Sequence, residues 1–369
     1  MPNEYYSQFF EEYNEPFKSI LLFLYDTSST LFDLSFPLSV VFASFALISN
    51  LFHLMVLTRV SMRNTSVNIL LTGLALTDSI CMLNTIFDNF EYVTRPADLK
   101  CKPPSPYWSQ ILLQILINLE DISRRISPWI GVIMAVIRLL ISSFPLNLII
   151  RKMSKPVFGF LSLLACILVS TVIGARIYIP TTVIEIKPWV PKKECGYPAN
   201  YSQPRFQPGP RDIDISEDLM TFLQLLDVVF RNLPAVVLPL LTLLLVRALK
   251  KITAERLQFQ SAPKEPDDTT KLVTLMTVLH VITECSIGIC LLVTFVSKSS
   301  LVQIITWNLY YFFTLFFPLN SIAHLIISIL LSSQYRTCVK ETLSFLKIWK
   351  EEPVAQSSQG SSSRTIIVR

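Results

Sequence analysis

The stretch AVIRLLISSFP, residues 135–145, is an apolar run that carries a single charge, Arg138, and ends on Pro145. An ionisable group deep in a bilayer costs about 2.5–3.5 kcal/mol on insertion scales, so a lone arginine in such a run belongs near its end. The run continues back, with interruptions, to about residue 109. We therefore predict a membrane-spanning helix whose apolar part gives way to water close to Arg138.

The whole chain has the composition of a membrane protein. Of its 369 residues, 51% are hydrophobic and 16% are charged, and the mean hydropathy is +0.49. A window of about 20 residues, the length of helix that crosses a bilayer core, finds seven apolar spans. They are residues 37–58, 68–88, 109–142, 156–179, 219–246, 272–297 and 301–331. This predicts an all-α membrane protein, a seven-transmembrane helix bundle. Fewer spans remain the alternative because charges interrupt the third, and the first span could begin earlier, near SILLFLY at residues 19–25.

The loops between the spans predict the orientation of the chain. Arg59 and Arg63 lie in one short loop without acids, and residues 151–155 form another, whereas the first 35 residues hold six acids and one lysine. Short basic loops stay in the cytosol, so we expect a multi-pass plasma-membrane protein with its N-terminus outside and its C-terminus inside. The net charge of +5 reports this orientation and not a nucleic-acid partner. The predicted regions are an extracellular segment, 1–36, a membrane domain, 37–333, and a cytoplasmic end, 334–369.

Two cysteines fall in loops on the predicted outer side. Cys101 precedes the third span and Cys195 follows the fourth, so both meet an oxidising environment, where a disulfide persists. We predict that they are bonded, and two free thiols are the alternative. Asn200, in the sequon NYS of the same outer loop, is a predicted glycosylation site.

Asp78 is a lone carboxylate inside the second span. Ionisable groups at this depth face the interior of a bundle and have partners there. The expected companions are Asn50 of the first span, Ser127 of the third and Asn320 of the seventh. The alternative is a hydrogen-bonded network that serves packing alone.

Helix arithmetic places a polar stripe along the third span. Glu120 and Arg138 are separated by five turns of 3.6 residues, so they share a face and lie about 27 Å apart along the axis. Arg124 and Ser127 lie close to the same face. Glu120 with Arg124, and Asp121 with Arg125, have the i, i+4 spacing of helical ion pairs. The alternative is that these four charges only cap the wet outer end of the helix.

Five of these features together resemble a known family. Asn50, LALTD at 74–78, Arg138 followed by Pro145, and NSIAH at 320–324 resemble in order the motifs of rhodopsin-like G-protein-coupled receptors. The stretch RRISPWIGVIMAVIRLL at 124–140 is most similar to the nematode serpentine receptors of class w, whose relatives include FMRFamide-type peptide receptors. The likeness covers about residues 37–340.

The resemblance implies a function for each matching residue. Arg138 and Pro145 would contact a heterotrimeric G protein, and Glu120 and Arg124 would contact the ligand. The disulfide of Cys101 and Cys195 matches the family pattern. Residues that would hold water and an allosteric sodium ion, the only cofactor expected, are Asn50, Asp78, Ser127 and Asn320.

The sequence also departs from the family pattern. No acid precedes Arg138, Ser321 stands where the seventh-helix motif has proline, and His324 stands where it has tyrosine. Pro318 is expected to bend that helix instead. The sixth span lacks the C-W-x-P motif, so the activation mechanism is expected to differ.

The end of the chain predicts a membrane-surface helix. Apolar and basic residues alternate at helical spacing over 335–349, which favours a short amphipathic eighth helix on the inner leaflet and contact with membrane lipids. Cys338 is either a palmitoylation site or a plain apolar thiol. The serine-rich tail after residue 355 offers phosphorylation sites for an arrestin-like partner.

A receptor is the function that these features favour. The charged outer loop and the acidic N-terminus suit a basic peptide ligand, and a small amine or another chemosensory molecule is the alternative. A transporter or channel would require an internal repeat, which the chain lacks. An enzyme is not expected, since His53, His280 and His324 have no metal-ligand spacing and no catalytic motif occurs.

Overall fold

The computed structural model describes residues 14–94, 101–198, 200–213, 215–259 and 268–351, and the chain is mostly helical there. The acidic residues 1–13 and the serine-rich tail 352–369, which figure in the predictions above, lie outside the described residues, as do residues 260–267. The elements in chain order are α1 (Glu15–Leu57), α2 (Ser66–Thr94), α3 (Tyr107–Ser143), α4 (Leu148–Met153), α5 (Pro156–Tyr178), β1 (Thr181–Trp189), β2 (Gln203–Pro210), α6 (Glu217–Phe259), α7 (Asp268–Val296), α8 (Ser300–Phe313), α9 (Phe316–Leu331) and α10 (Ser333–Glu351).

The described helices form the predicted membrane bundle. Six are long and apolar enough to cross a bilayer, with the consecutive α8 and α9 counted as one, and α7 contributes a shorter apolar stretch, Val281–Val296. Large apolar side chains such as Phe45, Phe160 and Leu240 point away from the bundle, whereas polar groups such as Asp78 are buried within it. This arrangement suits a hydrocarbon surrounding, because only partnered polar groups are tolerated inside and only apolar ones outside.

Helix α1 begins well before the predicted start of the first span. Pro16 lies in its first turn, where a missing N–H is harmless, and the helix passes through Pro37 without ending. Its 43 residues correspond to about 65 Å, roughly twice the thickness of a bilayer core. The early part packs against α8, where Leu21 contacts a cluster with Leu301 and Ile305. Residues 15–36 are therefore helical and continuous with the first span, as the alternative of an earlier start expected, and their extracellular placement stays a prediction.

The seventh span is broken between α8 and α9. Thr314 and Leu315 separate the two helices, and Pro318 lies one turn further on. A proline clashes with the carbonyl four residues before it, which here belongs to Thr314. The N–H of Phe317 bonds to that carbonyl in a tighter turn, at 3.1 Å. The helix is thus interrupted one turn before Pro318, and the bend expected there stays a prediction.

A β-hairpin lies at one end of the bundle, against α3 and α5, and we call this the hairpin end. Strands β1 and β2 pair antiparallel, with Thr181 opposite Pro210 and Glu185 opposite Phe206. No strands were predicted from the sequence, so the all-α description holds for the bundle but not for this loop. A disulfide joins Cys101 to Cys195 at the same end, with the two Cα atoms 5.2 Å apart, which confirms the predicted bond.

Helix α10 lies at the opposite end, which we call the α10 end, and packs back against α1. Tyr335 is buried and its hydroxyl lies 2.6 Å from Nδ1 of His53. Burial raises the pKa of Tyr335 above its usual range, so the phenol stays protonated. The amphipathic eighth helix predicted from the sequence is therefore present and is fixed to the first helix.

Candidate functional site

A cavity of about 250 Å³ opens in the hairpin half of the bundle, between α1, α2, α3, α8 and α9. One wall is aromatic and includes Trp307, Tyr310 and Tyr311 of α8. The other carries polar groups of α2 and α3, among them Glu120 and Arg124. A cavity of this size accommodates one large side chain or a small amine, and its mixture of aromatic walls and few polar groups is typical of ligand sites.

The two residues predicted to bind ligand lie together in this cavity. Arg124 Nε donates a hydrogen bond to Glu120 Oε1 over 2.6 Å, and both side chains are mostly buried. Asn84 of α2 donates to the other oxygen of Glu120. The Arg124 guanidinium also lies over the ring of Phe317, 5.1 Å from its centroid. The predicted i, i+4 pair is thus present, and it faces the bundle interior and not the surface.

The second predicted pair, Asp121 with Arg125, belongs to a larger ionic network. Arg125 has a fully buried side chain and bonds to Asp121 and, over 2.5 Å, to Asp227 of α6. Arg231 of α6 bonds to both aspartates, and Arg176 of α5 bonds to Asp227. Three arginines and two aspartates therefore connect α3, α5 and α6. This network was not predicted, although Asp227 and Arg231 have the same i, i+4 spacing as the pairs in α3.

The packing around Arg125 explains how a charged side chain fits so deep in the bundle. A Cβ on Gly174 would lie 3.2 Å from Nη1 of Arg125, so a larger residue would crowd the guanidinium. The same Nη1 donates to the carbonyl oxygen of Ser170 over 3.0 Å. Because the guanidinium donates to two carboxylates and a carbonyl oxygen, the cost of burying its charge is offset.

Glu284 of α7 is a further acid inside the bundle, and it was not among the predicted site residues. It lines a small cavity of about 40 Å³, together with Arg124 of α3 and Arg231 and Asn232 of α6. The stretch ECSIGI at 284–289 stands where the family motif of the sixth span is missing. Where the sixth span lacks the C-W-x-P motif, it therefore carries an acid that shares a cavity with Arg124 and Arg231.

The polar residues predicted around Asp78 lie close together, and Ser321, which was not predicted, lies among them. Ser127 Oγ donates to Asp78 over 3.4 Å, and Asn50 Nδ2 donates to the hydroxyl of Ser321 over 2.6 Å. The Ser321 side chain also lies near the carboxylate of Asp78. Asn320 is buried on the same turn of α9. Ser321, at the position where the family motif has proline, thus joins the first and second spans to the seventh.

The residues predicted to meet a G protein lie at the α10 end. Arg138 is half-buried on the penultimate turn of α3, which ends at Ser143, and Pro145 is exposed just beyond it. The short helix α4 follows and is capped by the Asn147 side chain, which accepts from the N–H of Ile149 over 2.9 Å. The stripe from Glu120 to Arg138 therefore connects the cavity with the α10 end along one continuous helix.

The two predicted modification sites lie in contrasting surroundings. Asn200 is exposed in the turn between the strands. The Cys338 thiol is buried, with Sγ 3.1 Å from the hydroxyl of Ser61. Modification of either residue stays a prediction, and at Cys338 it would require α10 to lift from α1.

These features define a seven-helix membrane receptor. The bundle has a polar interior, a cavity towards one end, and at the other end an arginine on the same helix that lines the cavity. Residues 37–346 match the family described as "Serpentine type 7TM GPCR chemoreceptor Srw", and the chain belongs to this family. No individually curated protein matches it. Membership makes the chain a multi-pass G-protein-coupled receptor, with a G protein as its partner, and the family is not a class of enzymes.

Proposed function

We propose that the chain is a plasma-membrane receptor that converts the binding of an extracellular peptide at the hairpin end into activation of a heterotrimeric G protein at the α10 end. The main observation behind this proposal is that a single helix, α3, extends from the cavity to the α10 end. This helix lines the cavity with Glu120 and Arg124 and continues without interruption to Arg138. A ligand that prefers one arrangement of α3 would thereby shift the arrangement presented to the G protein.

The charges at the two ends support this orientation. Arg63, Arg151 and Lys152 are exposed at the α10 end. The disulfide, which persists in an oxidising compartment, and the sequon at Asn200 lie at the other end. We therefore propose that the N-terminus is extracellular and the C-terminus cytoplasmic.

The network around Asp78 supports a role for sodium as an allosteric ion. The Asp78 carboxylate and the hydroxyls of Ser127 and Ser321 provide oxygen atoms, the ligands that hard cations prefer. We propose that Asn50, Asp78, Ser127 and Asn320, with water, hold the ion in the inactive receptor. Membrane lipids at α10 and an arrestin at the tail complete the proposed partners.

A small amine is the second candidate ligand, and the size of the cavity favours it. A volume of about 250 Å³ holds a small amine completely, whereas only one side chain of a peptide would enter. In the peptide case the rest of the ligand would lie against the hairpin, whose exposed charges include Glu185 and Arg205.

A peptide-library screen tests the proposal. Cells that express the receptor with a promiscuous G protein are exposed to the library and to a panel of small amines, and calcium release is recorded. We expect a peptide that activates the receptor but not an Arg138→Ala variant that binds it equally and reaches the surface equally. A ligand-gated ion current in cells without G-protein coupling would contradict the proposal.

A further inference from the structure

Asn84 of α2 has a buried oxygen that points to a missing donor. The residue lines the cavity and is only 3% exposed. Its Nδ2 must be the atom that meets Glu120, because a carboxylate only accepts, so Oδ1 is the remaining acceptor. Within the described part of the chain this oxygen has no hydrogen-bond partner. A buried acceptor without a donor is destabilising, so the position favours a group from outside the chain that brings an N–H.

Asp88 lies one helical turn beyond Asn84, on the same cavity wall. The other acids of the cavity are already neutralised, Glu120 by Arg124 and Asp121 by Arg125 and Arg231. Asp88 makes no ion pair with any described residue. Its carboxylate is also exposed, so a solute that enters from the hairpin end meets it early. The negative charge that remains for a ligand is therefore that of Asp88.

The aromatic wall opposite these two residues suits a cation. Trp307 and Tyr310 are stacked with centroids 5.4 Å apart, and Tyr311 meets Trp307 edge-on at 5.4 Å. Aromatic faces attract ammonium and guanidinium groups, more strongly where water is excluded. The contact of Arg124 with Phe317 shows this chemistry within the same cavity.

We propose that the cavity binds the cationic nitrogen of a ligand, an ammonium or a guanidinium, with Asp88 as its counter-charge, Asn84 Oδ1 as its acceptor and the α8 aromatics as its cover. Glu120 lies beneath, where its bonds to Arg124 and Asn84 position the amide. This rests on the proposed receptor function and deepens it by naming the chemical class of the ligand. The cation is either a free amine or one basic side chain of a peptide.

Reaction rates of charged thiol reagents test the site without any agonist or G protein. Thr85 lines the cavity beside both residues, and Thr85→Cys introduces a thiol there. The purified receptor is treated with a cationic trimethylammonium-ethyl methanethiosulfonate and with its anionic sulfonatoethyl counterpart. Modification is measured by intact mass, with the receptor lacking the new cysteine as background because five free cysteines are already present.

We expect the ratio of cationic to anionic rates to fall about tenfold when Asp88→Asn is added, because the carboxylate attracts the cationic reagent and repels the anionic one, so its loss changes the two rates in opposite directions. Asp88→Glu should restore the ratio, and Asp218→Asn, an exposed acid of α6 outside the cavity lining, should leave it unchanged. An unchanged ratio in Asp88→Asn would overturn the proposal.

Competition identifies the source of the cation. Agmatine represents a free amine, and a hexapeptide with one arginine represents a side chain, with its citrulline analogue as the neutral control. Protection of the Thr85→Cys thiol by agmatine would support a free amine, and protection by the arginine peptide alone would support a peptide. If neither slows the reaction, or if citrulline protects equally, the cation site is wrong even where the receptor still couples to a G protein.

Discussion

Asn50 of α1 donates a 2.6 Å hydrogen bond to Ser321 of α9, at the position where the N-P-x-x-Y motif has its proline. The serine also lies near Asp78 of α2, so three helices approach each other at this side chain. Proline would offer no hydroxyl to either neighbour. Ser321 therefore makes a contact that a proline at this position could not make. The proline of this helix is Pro318, close to the point where the helix is interrupted.

Replacing Ser321 by alanine should lower stability, because the buried Asn50 amide loses its acceptor. Interhelical hydrogen bonds in membranes contribute about 0.6 kcal/mol on average and up to about 1.7. We expect a loss in this range, measured by thermal unfolding in detergent. Ser286→Ala, whose hydroxyl bonds only within its own exposed helix turn, is the matched control. Equal midpoints for the two variants would show that the bridge contributes nothing.

The ionic network between α3, α5 and α6 should be sensitive to charge imbalance. Asp227 contacts Arg125, Arg176 and Arg231, so Asp227→Asn leaves three arginines with one aspartate. Breaking a buried pair on one side costs about 3–5 kcal/mol. We expect a large loss of folded receptor on size-exclusion chromatography.

A second substitution separates charge balance from packing in this network. Arg176→Gln removes one of the excess positive charges, so it should recover part of the folded yield when added to Asp227→Asn. An additive loss in the double variant would contradict the electrostatic explanation.

Sequence reasoning predicted the spans well because each is a long apolar run, and hydrocarbon thickness fixes the length of such runs. The earlier start of α1, near SILLFLY, was given only as an alternative because residues 15–36 mix polar and apolar positions, and that part of the helix packs against α8. The hairpin was missed because β1 and β2 stabilise each other across a long connection that no local signal reveals.

The candidate site was predicted in part for a similar reason. The pair Glu120 and Arg124 and the companions of Asp78 follow from helical spacing and membrane depth. Partners on different helices, such as Asp227 for Arg125 and Ser321 for Asn50, depend on how the helices rotate against each other. The spacing of Asp227 and Arg231 was an available signal, but it could not identify which helix they face.

The break between α8 and α9 should act as a hinge for signalling. Thr314, Phe317 and Pro318 all line the cavity, so a ligand would touch the break directly. Pro318→Ala removes the clash with the Thr314 carbonyl and allows a continuous helix. We expect a lower maximal calcium response with unchanged ligand binding. Pro37→Ala, inside the uninterrupted α1, is the control, and equal maximal responses would rule out the hinge.

Glu120→Gln should lower ligand potency without changing surface expression. The amide keeps an acceptor for Arg124, but the cavity loses a negative charge and Asn84 loses its strongest acceptor. A charge-assisted hydrogen bond contributes about 1.5–3 kcal/mol, so a shift of about tenfold or more is expected in a dose-response assay. Unaltered potency would remove Glu120 from the ligand site.

The central claim is that α3 carries the cavity residues towards the outside of the cell and Arg138 towards the cytosol. Epitope tags on the two chain ends test it directly by antibody labelling of cells before and after permeabilisation. We predict that the N-terminal tag is labelled on intact cells and the C-terminal tag only after permeabilisation. Labelling of both tags on the same side of the plasma membrane would contradict the account.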